Sequence, residues 1–293
     1  MAKKNPLVYI VTPTFNGKEY VIHFLESLSK QTYKNFKVVI IDDGSIDGTS
    51  AEITKRYPAT IVLKGDGTLF WTGATNKGVK RALKDQADYI ITVNNDVEVE
   101  KDWIDKLIVA TQKSPGCLVG STIYFANNRK KVWFYGAEYE LKTGKLVHRE
   151  KITNDLTDSV WLTGMGVIIP KEVFEKIGLY DRKAFPQYFA DADFSLRAKE
   201  AGFGLKVTKY AKLYNYVESA WDNKLMKTKK ASAITKMLFK FNSPYNMKAR
   251  YIFYKRHFDG FYPQYFIRYY AHFARRLALP YLRSIYFPKK DKK

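Results

Sequence analysis

Short apolar runs alternate with segments of helical periodicity over the first part of the chain. The runs are rich in β-branched residues and continuous rather than alternating, which predicts strands buried on both faces of a sheet. Strands are predicted at 7–11, 36–41, 59–63 and 89–93, and helices at 19–31, 45–57, 75–83 and 102–112. This alternation predicts an α/β fold with a Rossmann-like, mostly parallel sheet and helices on both faces.

Beyond Cys117 the pattern changes. A hairpin, a further strand and two helices are predicted at 132–139 with 145–149, at 161–170, and at 171–177 and 191–201. Lys142-Thr143-Gly144 is the predicted turn of the hairpin. A single cysteine excludes an internal disulfide framework.

The chain shows no signal for a membrane span or for secretion. It has 293 residues, of which 46% are hydrophobic, so a sizeable core can form. No run of about 18 apolar residues is present. The N-terminus lacks the apolar stretch and cleavage site of a secretory signal. We therefore expect a cytoplasmic protein.

Most of the net charge of +21 lies at the C-terminal end. Residues 223–293 carry 18 Lys and Arg against two acids, and 17 of the 41 Phe and Tyr. We expect a domain at 1–220 and a basic, aromatic, helical extension at 221–293. Helical spacing places one set of arginines on one face and aromatic and apolar residues on another: Arg268, Arg275, Arg276 and Arg283, against Tyr262, Phe266, Tyr269, Phe273 and Leu277.

This extension is typical of an interfacial helix, in which arginines meet anionic lipid and aromatic rings enter the headgroup region. The protein would then sit peripherally on the inner face of a membrane. Pro280 is expected to end or kink the helix. The alternative is a helix packed on the catalytic domain or on a second copy, as in a homo-oligomer. Nucleic acid is not expected as a partner, because no nucleic-acid-binding motif is present.

Acidic turns follow two of the predicted strands, and in parallel sheets ligands bind beyond the carboxyl ends of the strands. Asp42-Asp43-Gly44-Ser45 follows one strand. Its composition is that of an ordinary strand-to-helix turn, and its carboxylates could also accept hydrogen bonds from a nucleobase or a ribose. Asn94-Asn95-Asp96 follows another strand. It is either a polar turn or an oxygen ligand set for Mg²⁺ or Mn²⁺, with substrate phosphates completing the coordination.

Two further segments have a structural and a chemical interpretation. Asp191-Ala192-Asp193 opens a predicted helix, where acids are favoured by the helix dipole, and it could also supply a general base. The Gly- and aromatic-rich segment 65–74 contains Trp71, which could stack on a sugar or a base, or could be plain core. The segment is neither a Walker loop nor a dinucleotide-binding fingerprint. The four histidines lack metal-ligand spacing, so zinc is not expected.

Taken together, these motifs resemble the family 2 glycosyltransferases of the GT-A fold, in the family's order and over residues 7–215. The segments that carry the resemblance are Thr12-Pro13-Thr14-Phe15-Asn16, Asp42-Asp43-Gly44-Ser45-x-Asp47-Gly48-Thr49, Ala74-x-Asn76-x-Gly78, Asn94-Asn95-Asp96, Thr163-Gly164-Met165-Gly166, and Tyr188-Phe189-Ala190-Asp191-x-Asp193-Phe194-x-Leu196-Arg197 with Gly202.

The resemblance implies an inverting transfer of sugar from a nucleoside-diphosphate sugar to a hydroxyl of a glycan or lipid-linked acceptor. Asp191 would be the base and Asp96 the ligand of Mg²⁺ or Mn²⁺. The nucleotide-sugar would contact Thr12, Pro13, Asp42, Asp43, Asn76 and Asn95. The acceptor and donor-sugar side would include Trp71, Gly164, Met165 and Asp193.

One position departs from the family's pattern. A glutamate often precedes the catalytic aspartate, and here that position is Ala190. The segment 65–74 is similar to that of rhamnosyltransferase-like members, which implies a dTDP-deoxysugar such as dTDP-rhamnose, with a UDP-sugar as the alternative. Two other functions are weighed. A nucleotidyltransferase should carry a Gly-rich basic loop after its first strand, and residues 12–17 lack one. A non-catalytic binder of membrane or anionic polymer would not require Asp96 or Asp191.

Overall fold

The computed structural model describes residues 5–140, 145–149, 151, 154–216 and 231–286. The chain divides into two compact units, a first unit of residues 1–139 with 146–218 and a second unit of residues 140–145 with 219–293. The predicted boundary between residues 220 and 221 lies outside the described residues, as does the predicted turn at 142–144. Among the described residues, no helix is both long enough and apolar enough to span a membrane.

The first part of the first unit alternates strands and helices, as the sequence predicts. The elements are β1 (Val8–Thr14), α1 (Lys18–Ser29), β2 (Phe36–Asp42), α2 (Thr49–Arg56), β3 (Ile61–Lys64), α3 (Phe70–Lys84), β4 (Tyr89–Thr92), β5 (Val97–Val99) and α4 (Trp103–Lys113). Strands β3, β2, β1 and β4 lie side by side and are parallel. The central residues of β1, β2 and β4 are buried, whereas those of β3 at the edge are half-buried, which accounts for the continuous apolar runs in the sequence.

The rest of the first unit widens the sheet. Its elements are β6 (Cys117–Phe125), β7 (Asn128–Phe134), β8 (Ala137–Glu140), β9 (Lys145–His148), β10 (Leu156–Asp158), β11 (Val167–Pro170), α5 (Lys171–Ile177), α6 (Ala190–Glu200) and β12 (Gly204–Asn215). Along the sheet the order is β10-β12-β6-β11-β4-β1-β2-β3. Strand β11 runs antiparallel to both of its neighbours, and β6 and β12 are parallel to each other. The fold is therefore α/β with a mostly parallel core sheet.

Several boundaries differ from the predicted ones. Helix α2 begins at Thr49 rather than 45, because Gly44 and Gly48 both adopt positive φ and hold residues 44–48 in turns. Helix α3 begins at Phe70, five residues before the predicted start at 75. The predicted hairpin strand 132–139 is broken at Gly136, which has a φ of +88°. As a result β7 pairs with β6, and β8 pairs with β9.

The described residues of the second unit form the helices α7 (Ala231–Phe239), α8 (Met247–His257) and α9 (Tyr262–Tyr286). It has a small core of its own, built from Met237, Tyr245 and Phe273. Helix α9 continues past position 280, so the proline there does not end it. The extension is helical, as predicted.

The aromatic face of α9 packs inside the second unit. Tyr262 and Phe266 lie edge-on to Tyr251 of α8, at ring-centroid distances of 5.8 and 5.9 Å. The guanidinium of Arg250 lies 3.4 Å from the ring centroid of Tyr269. The rings that were predicted to enter a headgroup region thus pack against α8, where they contribute to the contact between the two helices. The side chains of residues 277 and 283, which the prediction also used, lie outside the described part.

Candidate active site

The strand ends of the parallel half carry the predicted nucleotide-binding residues. Thr14, the last residue of β1, is in register with Asp42, the last residue of β2. Thr12 is fully buried and Pro13 is half-buried. Within the described residues the hydroxyl of Thr12 has no hydrogen-bond partner. The carboxyl edge of the sheet therefore brings the first two predicted motifs together.

The carboxylates of Asp42 and Asp43, at the end of β2, are buried and hydrogen-bonded within the fold. Asp42 accepts from the Ser45 amide at 2.9 Å and from the hydroxyl of Ser50. Asp43 accepts from three backbone amides that lead into α3, those of Gly67, Leu69 and Phe70, at 3.0, 3.2 and 2.9 Å. Since a carboxylate offers about four acceptor positions, each keeps some capacity for a ligand. Asp43 also organises the segment 65–70.

The turn after β4 supplies an amide contact and an unpaired carboxylate oxygen. The side-chain amide of Asn95 donates to the Thr14 hydroxyl at 2.9 Å, which joins the ends of β4 and β1. Oδ1 of Asp96 is buried and has no hydrogen-bond partner in the described part of the chain. Burial raises the pKa of the Asp96 carboxyl. An orphaned carboxylate oxygen in this position fits a divalent cation, because Mg²⁺ and Mn²⁺ favour oxygen ligands.

Asp96 does not stand in a complete protein cage for a metal. Within the residues that the structure describes, no three His, Cys, Asp or Glu side chains come together as a metal site. A cation held by Asp96 would take its other ligands from substrate phosphates and water, which is the usual mode for Mg²⁺.

Asp191 lies in the first turn of α6 and is half-buried. Its carboxylate accepts from the Gly164 amide at 3.1 Å and from the Ala192 amide at 2.9 Å. Burial raises the pKa of Asp191 to about 6, against the lowering effect of these two amide bonds. The group is therefore largely ionised at neutral pH and is a stronger base than an exposed aspartate.

The loop that holds Gly164 is also internally bonded. The amide of Met165 donates to the Thr163 hydroxyl at 3.2 Å. Gly166 has a φ of +72°, and its carbonyl accepts from the backbone and the hydroxyl of Ser121. This loop is thus anchored to β6 on one side while Gly164 faces Asp191 on the other.

Asp193 has its carboxylate inside the fold. It is fully buried and pairs with Nε of Arg197 at 2.8 Å, one helical turn further on. Arg197 also donates to the carbonyls of Ile177 and Leu179, at 2.8 and 2.9 Å. The pair joins α6 to the chain that follows α5, so Asp193 holds the helix of Asp191 in place.

Asn76 is also engaged with the fold. Its side-chain amide donates to the Tyr180 carbonyl at 2.8 Å and accepts from the Tyr180 amide at 3.1 Å. Both ends of the amide are therefore used on one backbone unit, which ties α3 to the segment before α6. The ring of Tyr180 stacks on Phe194, with ring centroids 4.3 Å apart.

Trp71 lies at the start of α3 and is half-buried. Its indole N–H donates to Oδ1 of Asn94 at 3.0 Å, and its backbone amide donates to the side chain of Gln187 at 3.0 Å. Asn94 was considered from the sequence only as part of the turn Asn94-Asn95-Asp96, and Gln187 and Tyr180 were not marked as site residues. Their partners are remote in the chain, so no local pattern marks them.

The helices that carry Trp71 and Asp191 begin side by side. The amide and hydroxyl of Thr72 donate to the carbonyls of Pro186 and Phe185, at 3.1 and 2.5 Å. A non-glycine residue with positive φ stands at the start of each helix: Phe70, the first residue of α3, at +53°, and Phe189, directly before α6, at +71°. Such conformations cost energy and persist only where the surroundings enforce them.

A mostly parallel α/β sheet with acidic turns at its carboxyl edge is typical of the GT-A class of glycosyltransferase folds. The structure is similar to that of GalNAc-T7, crystallised with UDP, GalNAc and Mn²⁺. The TM-score is 0.62 at 16% identity, over 74% of this chain and 45% of that chain. The chain belongs to glycosyl transferase family 2, whose family model matches residues 9–178, more than half of the sequence.

Over the aligned residues, the chain is about 25% identical to several bacterial proteins. It is 25% identical over 207 residues to glycosyltransferase GlyG of Streptococcus pneumoniae, covering 67% of each protein. It is 24% identical over 219 residues to N-acetylglucosaminyl-diphospho-decaprenol L-rhamnosyltransferase of Mycobacterium tuberculosis, covering 66% of this chain and 71% of that protein. It spans a quarter of the length of protein y4gI of Sinorhizobium fredii, with 25% identity over 234 residues.

Proposed function

We propose that the protein is an inverting glycosyltransferase that moves a sugar from a nucleoside-diphosphate sugar to a hydroxyl of a glycan or lipid-linked acceptor. The observation that carries this proposal is Asp191. It is a half-buried carboxylate in the first turn of α6, its pKa is raised by burial to about 6, and it accepts a hydrogen bond from the Gly164 amide. Family membership supports the reaction class.

Asp191 acts as the general base in this proposal. It takes the proton from the acceptor hydroxyl, whose oxygen forms the new bond to the anomeric carbon as the bond to the nucleoside diphosphate breaks. Two amide bonds hold the carboxylate, so its remaining lone pairs are aimed by the backbone rather than by a flexible side chain. A single displacement of this kind inverts the anomeric configuration.

The donor would lie along the carboxyl edge of β1, β2 and β4. The spare acceptor capacity of Asp42 and Asp43 suits base N–H and ribose hydroxyl donors, beside Thr12, Pro13 and Asn95. Asn76 contributes through the segment that it ties down rather than by contact with the nucleotide.

The metal site would be Asp96 together with the donor diphosphate. A Mg²⁺ or Mn²⁺ ion held there would offset the negative charge that grows on the leaving diphosphate. Support comes from the orphaned, buried Oδ1 of Asp96. GalNAc-T7, which shares the fold, was crystallised with Mn²⁺.

We propose a dTDP-deoxysugar such as dTDP-rhamnose as the donor, with a UDP-sugar as the competing choice. The segment 65–74 supports the first, as does similarity to an L-rhamnosyltransferase of Mycobacterium tuberculosis. The name of that relative describes a lipid-linked saccharide, which supports a lipid-linked acceptor here.

The second unit is proposed to contact an anionic membrane surface, at the cytoplasmic face. Arg268, Arg275 and Arg276 of α9 are exposed, and so are the apolar side chains of Phe261 and Ile267. Because the other aromatic rings pack on α8, attraction of charge would contribute more than ring insertion. Contact with a second copy of the chain is the competing proposal for this surface.

The test is a panel of nucleotide-sugars scored for metal-dependent release of nucleoside diphosphate and for transfer to an acceptor. We expect Asp191→Asn to bind donor and to lose transfer, and Asp96→Ala to lose metal-dependent release of the nucleoside diphosphate. Near-normal turnover by Asp191→Asn would exclude the assigned base. Absence of metal-dependent release with every donor of the panel would favour a non-catalytic binding protein, and release that needs neither acid would place the chemistry on other residues.

A further inference from the structure

The indole of Trp71 lies between the turn after β4 and the loop that faces Asp191. On one side its N–H donates to Oδ1 of Asn94 at 3.0 Å. On the other side it lies against Gly164 so closely that a Cβ at position 164 would be 2.4 Å from Cζ2 of the indole. A side chain at 164 is therefore excluded by the ring.

The residue that the indole touches is the one that holds the base. The Gly164 amide donates to Oδ2 of Asp191 at 3.1 Å. A continuous set of contacts thus runs from Asn94, two positions before Asp96, through Trp71 and Gly164 to Asp191.

The indole itself is held on other sides. Its ring meets the ring of Tyr180 edge-to-face at a centroid distance of 5.4 Å, and Asn76 bonds both backbone groups of Tyr180. The Trp71 amide donates to Gln187, four positions before Asp191. A ring fixed by its N–H, its edge and its backbone has little freedom to act as an adaptable stacking platform.

We propose that Trp71 is a positioning residue that sets the place of the base Asp191 relative to the Asn94–Asp96 turn, by supporting Gly164. This inference rests on the proposed function of Asp191. It assigns Trp71 a task different from stacking on a sugar, and it predicts an effect on turnover rather than on donor affinity.

Two substitutions separate these tasks. Trp71→Phe keeps an aromatic ring but removes the N–H and the Cζ2 edge, so Asn94 loses its donor and Gly164 loses its support. Gly164→Ala keeps the indole and forces ring and loop apart, and position 164 has no positive φ that alanine would strain. Displacement of a reacting group by about 1 Å can lower turnover about 100-fold.

We expect kcat to fall about tenfold in Trp71→Phe and about 100-fold in Gly164→Ala, with donor KM within about twofold of wild type. The double variant should turn over no more slowly than Gly164→Ala alone, because the smaller ring leaves room for the alanine. Loss of the Gly164 amide bond removes a contact that favours the charged base. The acidic limb of the pH profile should therefore move to higher pH in both single variants.

The titrating neighbour of Asp191 in this contact set is Tyr180, whose pKa is raised by burial, so it stays protonated over the range tested.

Trp133→Phe is the matched control, since Trp133 packs on Phe134 and His148 instead, and should behave as wild type. Thermal melts check that each variant folds. If Trp71→Phe does not fold, Gly164→Ala still tests the proposal.

Three outcomes would overturn either the inference about Trp71 or the proposed function. A raised donor KM with unchanged kcat in Trp71→Phe would mean that the ring contacts the sugar, which overturns the inference. Wild-type kcat and pH profile in both single variants, with Asp191→Asn inactive, would also overturn it and leave the proposed function standing. Activity in Asp191→Asn would overturn the proposed function itself.

Discussion

The amide of Phe70 donates a 2.9 Å hydrogen bond to Oδ2 of Asp43, across 27 residues of sequence. Phe70 is held at positive φ at the first position of α3. A carboxylate from the end of β2 thus takes the part of a helix cap for α3, whose own flanking residue makes no side-chain cap. The end of β2, where we propose that the nucleotide binds, and the start of the helix that carries Trp71 are therefore joined by direct hydrogen bonds.

Replacement of Asp43 by alanine should destabilise the protein as well as weaken donor binding. Three backbone amides would lose an acceptor that is itself buried, which we expect to cost about 2–4 kcal/mol. Urea unfolding measures the loss. Asp66→Ala is the control, because Asp66 is exposed and its hydrogen bonds among the described residues go to Thr68 nearby, and it should unfold like wild type.

The rate of transfer should depend on pH through Asp191. Protonated Asp191 cannot accept the proton of the acceptor, so kcat/KM should rise with pH through about 6 and then level off. A pH–rate profile at saturating metal measures this limb. A limb near pH 4, the ordinary value for aspartate, would contradict the burial that raises the pKa.

Mn²⁺ should stabilise the protein in the presence of a nucleoside diphosphate, and it should do so through Asp96. Any ligand that binds only the folded state raises the melting temperature, by an amount that follows its concentration. We expect this rise in wild type and its absence in Asp96→Ala. Glu98→Ala is a matched control, since Glu98 pairs with Arg129 and Tyr216 instead. A rise of equal size in Asp96→Ala would place the metal elsewhere.

Asp193 should behave as a structural residue. Removal of one partner from a buried ion pair leaves an uncompensated charge, so Asp193→Ala should cost about 3–5 kcal/mol in the free energy of unfolding. The double substitution with Arg197→Met should recover part of this loss. If Asp193→Ala unfolds like wild type and shows only a higher KM for a sugar, the carboxylate contacts substrate.

The second unit should bind anionic vesicles in a salt-dependent way. Replacement of Arg268, Arg275 and Arg276 by glutamate should abolish sedimentation with phosphatidylserine vesicles, and high salt should weaken it in wild type. The same three positions changed to lysine keep the charge and should keep binding. Equal binding to neutral vesicles would contradict an attraction to anionic lipid. A dimer in wild type that the glutamate variant loses would favour contact with a second copy of the chain.

The parallel half of the sheet could be predicted from sequence, because buried strands between amphipathic helices leave a strong periodic signal. The start of α3 could not, since its cap comes from Asp43 far upstream. The start of α2 was placed too early, because Gly44 and Gly48 hold turns where the composition also suited a helix.

The places of the acids at strand and helix ends could be predicted from the sequence, whereas their burial and hydrogen bonds could not. Asp96 and Asp191 stand where acidic strand and helix ends were expected, and their raised pKa values follow from burial, which composition does not reveal. Asp193 and Asn76 looked like ligand contacts, and in the structure both bond to protein groups. Their partners became visible only once the chain was folded.

The contacts that join α3 to the chain before α6 have a consequence for folding. Trp71 and Gln187 are 116 residues apart in sequence, and Asn76 and Tyr180 are 104 apart. Contacts of such separation close loops that carry a large entropic cost, so they form late. A refolding chain should regain its helical signal before it regains turnover. During synthesis, the acidic strand ends of the first half should form before the segment that carries Asp191 packs against α3.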